Sequence, residues 1–253
     1  MTPFRKLCKL AGEAIARYRM IDDGDRVLVA LSGGKDSFAL LRVLHELRRR
    51  APIRFEVIAA TFDPGFPEFR STEIAACCRR MGWPHRTVSL PVAEILEEKK
   101  FTAAPCVLCS RLRRGKLCGV AAAEGCSKLA LGHHFDDVAA SFLMSLCRGQ
   151  GLTTMGPNVP ATGSAGEKLR IIRPLVFAPE SLIEECRAEW DLPRAGACPY
   201  EELLKSGDRA RFRRLIDGLA AEIPNLRSQM LRSLSHLRPE YLLDPEFLFP
   251  EER

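Results

Sequence analysis

Apolar residues in this chain follow two alternating patterns. Short unbroken runs, each stopped by glycine or a polar pair, are separated by longer stretches in which apolar positions recur every three or four residues. "RVLVALSGG" from Arg26 is a run of the first kind and reads as a buried parallel strand. "FEVIAATF" (55–62), "HRTVSL" (85–90), "KLALG" (128–132) and "LRIIRPL" (169–175) give four more. Between them "KDSFALLRVLHELRRR", "FPEFRSTEIAACCRRMG", "RLRRGKLCGVAAAEGC" and "DDVAASFLMSLCRG" carry the helical period. Strands alternating with helices predict an α/β fold: a doubly wound, five-stranded parallel sheet with both faces covered. The pattern divides the chain into an N-terminal helix (1–24), a sheet domain (25–178) and a C-terminal helical region (179–253). "GPNVPATGSAGEK" (156–168) reads as a mobile loop.

Composition narrows the picture. The 253 residues are 46% hydrophobic, enough for a sizeable core, yet no apolar run is long enough to cross a bilayer. The N-terminal stretch lacks the apolar block and cleavage site of a secretory signal, so a cytoplasmic location and no membrane partner are expected. Ten cysteines in such a protein are expected to be reduced. Cys8, Cys77, Cys78, Cys118, Cys126, Cys147 and Cys186 fall in helical apolar patterns and are expected to pack as small hydrophobes. His45, His85 and His236 are assigned no role. The net charge of +6 is uneven: residues 203–238 hold eight Lys or Arg against three acids, a local excess of five. On charge alone this is a solvated helix face or a footprint for a phosphate backbone.

Three clusters carry chemistry. "SGGKDS" (Ser32, Gly33, Gly34, Lys35, Asp36, Ser37) joins the first strand to the first helix of the sheet. Glycines there let the backbone approach phosphate, and a helix start adds free N–H groups, although the spacing is not that of the Walker loop. "GHHFDD" (Gly132, His133, His134, Asp136, Asp137) follows the fourth strand, the expected neighbour of the first across the switch point. Its carboxylates and imidazoles suit Mg²⁺ or pyrophosphate, with one aspartate capping the next helix. The third cluster is Cys106 and Cys109 in "CVLC", half of a metal site or all of a redox dithiol.

SGGKDS after strand one and GHxxDD after strand four resemble the PP-loop ATPases, of the adenine nucleotide alpha hydrolase-like fold. "DGDRVLVALSGGKDS", "PGFPE", "CVLCSRLRRGKL", "LGHHFDD" and "IIRPL" in this order are similar to the TtcA family of tRNA-cytidine 2-thiolation enzymes, over nearly the whole chain. The resemblance implies an enzyme that splits ATP to AMP and pyrophosphate, adenylates the cytidine C2 carbonyl (cytidine 32 of the anticodon loop) and lets sulfur displace AMP. It implies a [4Fe–4S] cluster held by Cys106, Cys109 and a cysteine of a later pair. The later element is "GACPYEE": Cys198 matches the first cysteine, and Glu201 stands where the second, not an iron ligand, is found. Lys35, Asp36 and the three cysteines are then the catalytic set. ATP, Mg²⁺ and the cluster are the cofactors. A tRNA, a sulfur donor and a reductant of unknown identity, and a second copy of the chain are the partners. Arg111, Arg113, Arg114 and Lys116 after the cluster loop, and Arg209, Arg211, Arg213 and Arg214 in the C-terminal helices, become candidates for gripping the RNA. Two readings stand beside this one: a ligase or sulfurtransferase with structural zinc and another substrate, and a nucleotide-binding module without turnover.

Overall fold

A computed structural model of the chain describes residues 1–98, 105–162, 168–193, 195, 196, 198–243 and 245. Strands β1 (Arg26–Ala30), β2 (Glu56–Asp63), β3 (His85–Ser89), β4 (Lys128–Ala130), β5 (Asn158–Pro160) and β6 (Arg170–Ile172) form one sheet in the order β3-β2-β1-β4-β6-β5. Every pairing is parallel except β5 with β6. The five strands read from apolar runs are the five parallel ones. The helices are α1 (Pro3–Arg17), α2 (Lys35–Arg48), α3 (Ser71–Arg80), α4 (Val92–Glu98), α5 (Pro105–Ala123), α6 (Phe135–Cys147), α7 (Glu180–Arg187), α8 (Glu201–Ser206), α9 (Asp208–Glu222) and α10 (Leu226–Leu234).

The unbroken apolar runs reflect burial on both faces of the sheet. Val27 and Val29 of β1 face a core shared with α1, α2, α3 and α7. Leu28, between them, faces a second core shared with α4 and α5. Leu182, Ile183 and Cys186 of α7 pack in the same cluster as Leu7 of α1 and Phe38 of α2, so packing runs unbroken past residue 179. A third, smaller core joins Ala139 and Ala140 of α6 to Ile216 of α9. Among the described residues no helix is long and apolar enough to cross a membrane.

Three sequence expectations change. The stretch 156–168 holds a strand: β5 pairs antiparallel with β6 at the sheet edge. Three residues ending in proline carry almost no strand signal, and an edge tolerates the proline. Asn158 anchors the strand by donating to the carbonyls of Tyr18 (3.0 Å) and Arg19 (2.8 Å) and accepting from Arg170 Nε (2.6 Å). Residues 163–167 of that stretch lie outside the described residues. The C-x-x-C pair sits on a helix, not a loop, because α5 begins at Pro105, a residue preorganised for a first helical position. Finally, Cys147, the last residue of α6, is exposed rather than packed, while Cys8, Cys77, Cys78, Cys126 and Cys186 are buried and Cys118 is half-buried.

Candidate active site

At the carboxyl end of β1 the chain turns through Ser32, Gly33 and Gly34 into α2. Gly33 has φ +84°, and a Cβ there would lie 2.4 Å from Ala195 Cβ and 2.7 Å from Ile74 Cδ1. Gly34 is the N-cap of α2 and supplies no side-chain bond, so the first N–H groups of a fourteen-residue helix remain for an anion. Ser37, buried, ties the loop together: its Oγ accepts from Ser32 N (3.2 Å) and donates to Gly34 O (2.8 Å). Lys35 Nζ lies 2.6 Å from Glu180 Oε1, 3.3 Å from Glu184 Oε1 and 3.6 Å from Asp36 Oδ1. Burial pushes its pKa down, but the bond it donates to Glu180 and the charge of Asp36 outweigh this and raise it, so Lys35 stays cationic.

β4 pairs directly with β1, which brings GHHFDD beside SGGKDS. A Cβ on Gly132 would meet the Asp36 carbonyl at 3.0 Å and Ser37 N at 3.1 Å, so the two loops are in van der Waals contact through a glycine. His134 is the N-cap of α6, and Asp137 Oδ2 accepts from His134 N (3.2 Å). Asp136 Oδ2 accepts from Glu180 N (2.8 Å), and Asp136 Oδ1 lies 2.8 Å from Arg227 Nε. Burial pushes the Asp136 carboxyl up, but His134, the Glu180 N–H and Arg227 hold it down at about 2.

The carboxylates and imidazoles of the two loops differ in how they are engaged. Asp136 and Asp137 are engaged within the fold. Asp36 Oδ1 and His134 Nδ1, by contrast, are buried without a hydrogen bond among the described residues. Asp36, His134 and Glu180 each offer one ligand atom to a group that lies within 4.8 Å. A carboxylate oxygen without a hydrogen bond beside the glycine turn suits a hard cation, and a cation there would compete with Lys35 and Arg213 for Glu180.

The thiols meet. Cys106 and Cys109, three apart on α5, share a helix face. Cys198 joins them: its charge raises both their pKa values, after the larger effect of burial, while Arg113 lowers both. All three are half-buried free thiols, and Cys109 and Cys198 pack on the same core as Leu108 and Tyr200. The segment carrying Cys198 also touches the phosphate loop. Ala195 lies over Gly33, and its carbonyl accepts from Arg70 N (2.9 Å). Gly196, at φ +84°, is pressed so close to Glu68 that a Cβ would stand 1.6 Å from the Glu68 oxygen. The side chain of Glu201, which opens α8, lies outside the described residues.

The basic candidates divide. Arg111, Arg113, Arg114 and Lys116 are exposed along α5, and Arg209, Arg211 and Arg214 are exposed on α9. Arg213 turns inward instead, with Nη2 3.0 Å from Glu180 Oε2, 3.1 Å from His134 Nε2 and 3.6 Å from Asp137 Oδ1. Arg209, Arg213 and Ile216 lie on one stripe of α9, and Ile216 packs on α6, so the helical period held the signal for the inward arginine. Glu180, Arg227 and Arg173 have no counterpart in the sequence reading. His133, beside Arg173, is pushed down to about 4 by burial and by that arginine.

The model of the PP-loop domain family matches residues 5–191. A tRNA-cytidine(32) 2-sulfurtransferase of Syntrophotalea carbinolica is 42% identical, over 95% of this chain and 92% of the relative. The chain belongs to the TtcA family of PP-loop ATPases. A second TtcA-family relative, the tRNA-cytidine(32) 2-sulfurtransferase of Pelobacter propionicus, is 39% identical over 96% of this chain and 90% of its own. The fold is also that of the U34-tRNA thiolase NcsA from Methanococcus maripaludis, solved with its [4Fe–4S] cluster. That structure aligns with a TM-score of 0.74 and 24% identity, over 96% of this chain and 83% of the other.

Proposed function

We propose that the chain is an ATP-dependent tRNA sulfurtransferase that replaces the C2 oxygen of a cytidine, position 32 of the anticodon loop, with sulfur. The observation that supports this reading is the contact of Ala195 with Gly33, three residues before Cys198, together with the charge of Cys198 acting on Cys106 and Cys109. Activation by ATP and delivery of sulfur then take place at neighbouring positions along the same edge of the sheet.

In this reading the turn at Gly33–Gly34 and the N–H groups of α2 seat the phosphates, and Lys35 neutralises their growing charge. Asp36 and Glu180 would hold Mg²⁺ on the same phosphates. The cytidine O2 attacks the α-phosphorus and pyrophosphate leaves. A reduced sulfur then attacks C2 and AMP departs, because adenylation has turned a poor leaving oxygen into a good one. Arg113 offsets the repulsion among the gathered thiolates. Cys106, Cys109 and Cys198 would hold a [4Fe–4S] cluster, which supplies an iron without a protein ligand where sulfur is kept anionic and positioned.

The number of thiols favours the cluster over structural zinc. A structural zinc is closed by four protein ligands, whereas a cluster gives each cysteine its own iron, so three cysteines hold it and leave one iron open. The test is mass spectrometry of tRNA nucleosides from a strain lacking this protein. Loss of 2-thiocytidine, restored by the gene, is expected; an unchanged level overturns the reading.

A further inference from the structure

Arg173 stands at the carboxyl end of β6 and is only 8% exposed. Its Nε donates to His133 Nδ1 (3.2 Å) and its Nη1 to the carbonyl of Gly156, and it makes no ion pair with a carboxylate among the described residues. A buried guanidinium without an anion is costly, and five fixed donors are more than two neutral acceptors use. The bond also fixes the state of His133. With Nδ1 accepting, the neutral ring carries its proton on Nε2 and becomes a further donor. Two more arginines, on helices that cover opposite faces of the sheet, lie within electrostatic reach of Arg173. Arg114 belongs to α5, and Arg209 to the stripe of α9 that faces α6. Both are exposed and neither has a carboxylate partner among the described residues. Their charges reach Arg173 and, after burial, lower its pKa to about 10. Arg209 also bears on His133. Asp137 is the one carboxylate whose charge reaches His133, and no carboxylate forms an ion pair with Arg173, Arg114 or Arg209 among the described residues, so the positive charge exceeds the negative and suits an anion.

We propose that Arg173, Arg114, Arg209 and the Nε2–H of His133 form a seat for a backbone phosphodiester of the substrate RNA, next to the nucleotide that is thiolated. This rests on the tRNA reading above and adds a specific contact to it. The nucleotide's own phosphates already have SGGKDS and Lys35, on the β1 side of β4, whereas this cluster lies on the β6 side. Arg114 is five residues beyond Cys109 on α5, roughly 7.5 Å along the axis at 1.5 Å per residue. A phosphate held there leaves the adjoining base within reach of the thiols. Because the contact is to the backbone, it sets the position of the RNA and reads no base.

The test uses the full chain purified anaerobically, unmodified tRNA as probe, and a series of salt concentrations. Arg114→Gln and Arg209→Gln alter exposed side chains and are expected to fold. Each should weaken tRNA binding about tenfold and flatten the slope of log affinity against log salt by about 0.7–0.9. Affinity for a non-hydrolysable ATP analogue should not change. Arg173→Lys, checked for folding by its thermal midpoint, should flatten the slope less than Arg173→Gln. Unaltered slopes in both Gln variants at positions 114 and 209 overturn the seat while the tRNA reading stands. A fall in affinity for the ATP analogue with an unaltered tRNA slope assigns the arginines to the nucleotide and also overturns it. A wild-type protein that binds no tRNA removes both.

Discussion

Replacing Gly196 with alanine tests whether the segment 195–198 truly holds the third thiol in place. The added Cβ would stand 1.6 Å from the Glu68 oxygen, 2.7 Å from its carbonyl carbon and 3.3 Å from Phe69 Cα. All three are backbone atoms, so no side chain can rotate away. To reach an ordinary contact near 3.4 Å the two backbones must separate by almost 2 Å. The φ of +84° adds about 1–2 kcal/mol of strain for a residue with a side chain. The retreat also breaks the bond from Arg70 N to the Ala195 carbonyl, about 1 kcal/mol more. A local penalty of about 2–3 kcal/mol, two residues from Cys198, exceeds the 1.4 kcal/mol that equals a tenfold change. Iron and acid-labile sulfide per chain, measured anaerobically, should fall at least tenfold in Gly196→Ala. Gly82→Ala is the control, because Gly82 has a similar φ of +68° but no atom within 4 Å of its would-be Cβ. It should keep its iron. Full iron in Gly196→Ala would show that the contact with Glu68 has no part in placing Cys198.

Three further outcomes are expected. Cys198→Ala should lose its iron but bind an ATP analogue with unchanged affinity; a fully occupied cluster in that variant removes Cys198 from the ligand set. Lys35→Ala should reduce AMP formation by about a hundredfold or more and leave iron content intact, since Arg213 still pairs with Glu180; loss of iron instead would give Lys35 a structural role. The stability gap between wild type and Asp136→Asn should depend on pH. The Asp136 carboxyl is held at about 2 in the folded chain, below its usual value near 3.9, so it stabilises the fold above about pH 4 and stops doing so as pH falls through 2. The shift corresponds to about 2 kcal/mol, read as a difference in unfolding free energy that should close between pH 4 and pH 2; a constant gap across that range refutes the assignment.

The phosphate loop was legible because its signal is local. An apolar run, two glycines and a helix start occur within a dozen residues, and backbone chemistry alone explains each. The nearness of GHHFDD followed from a topological rule, strand four beside strand one, and the contact of Gly132 with the first turn of α2 is its physical form. The groups that complete the site were not legible, because each is brought from far along the chain by packing. Glu180 reaches Lys35 because Leu182 and Ile183 bury α7 against α1 and α2. Arg213 reaches the same carboxylate because Ile216 buries α9 against Ala139 and Ala140. In both cases an apolar residue two or three positions away directs the charged one. Glu180 then bonds Lys35 through one oxygen and Arg213 through the other, so one carboxylate links the phosphate loop to the helix that carries Arg209. The C-terminal helices therefore form part of the candidate site's wall, through Arg213 and Arg227, as well as a basic surface. A charge count along the sequence cannot separate those roles, because an arginine paired inside a site and an arginine awaiting a phosphate contribute the same +1.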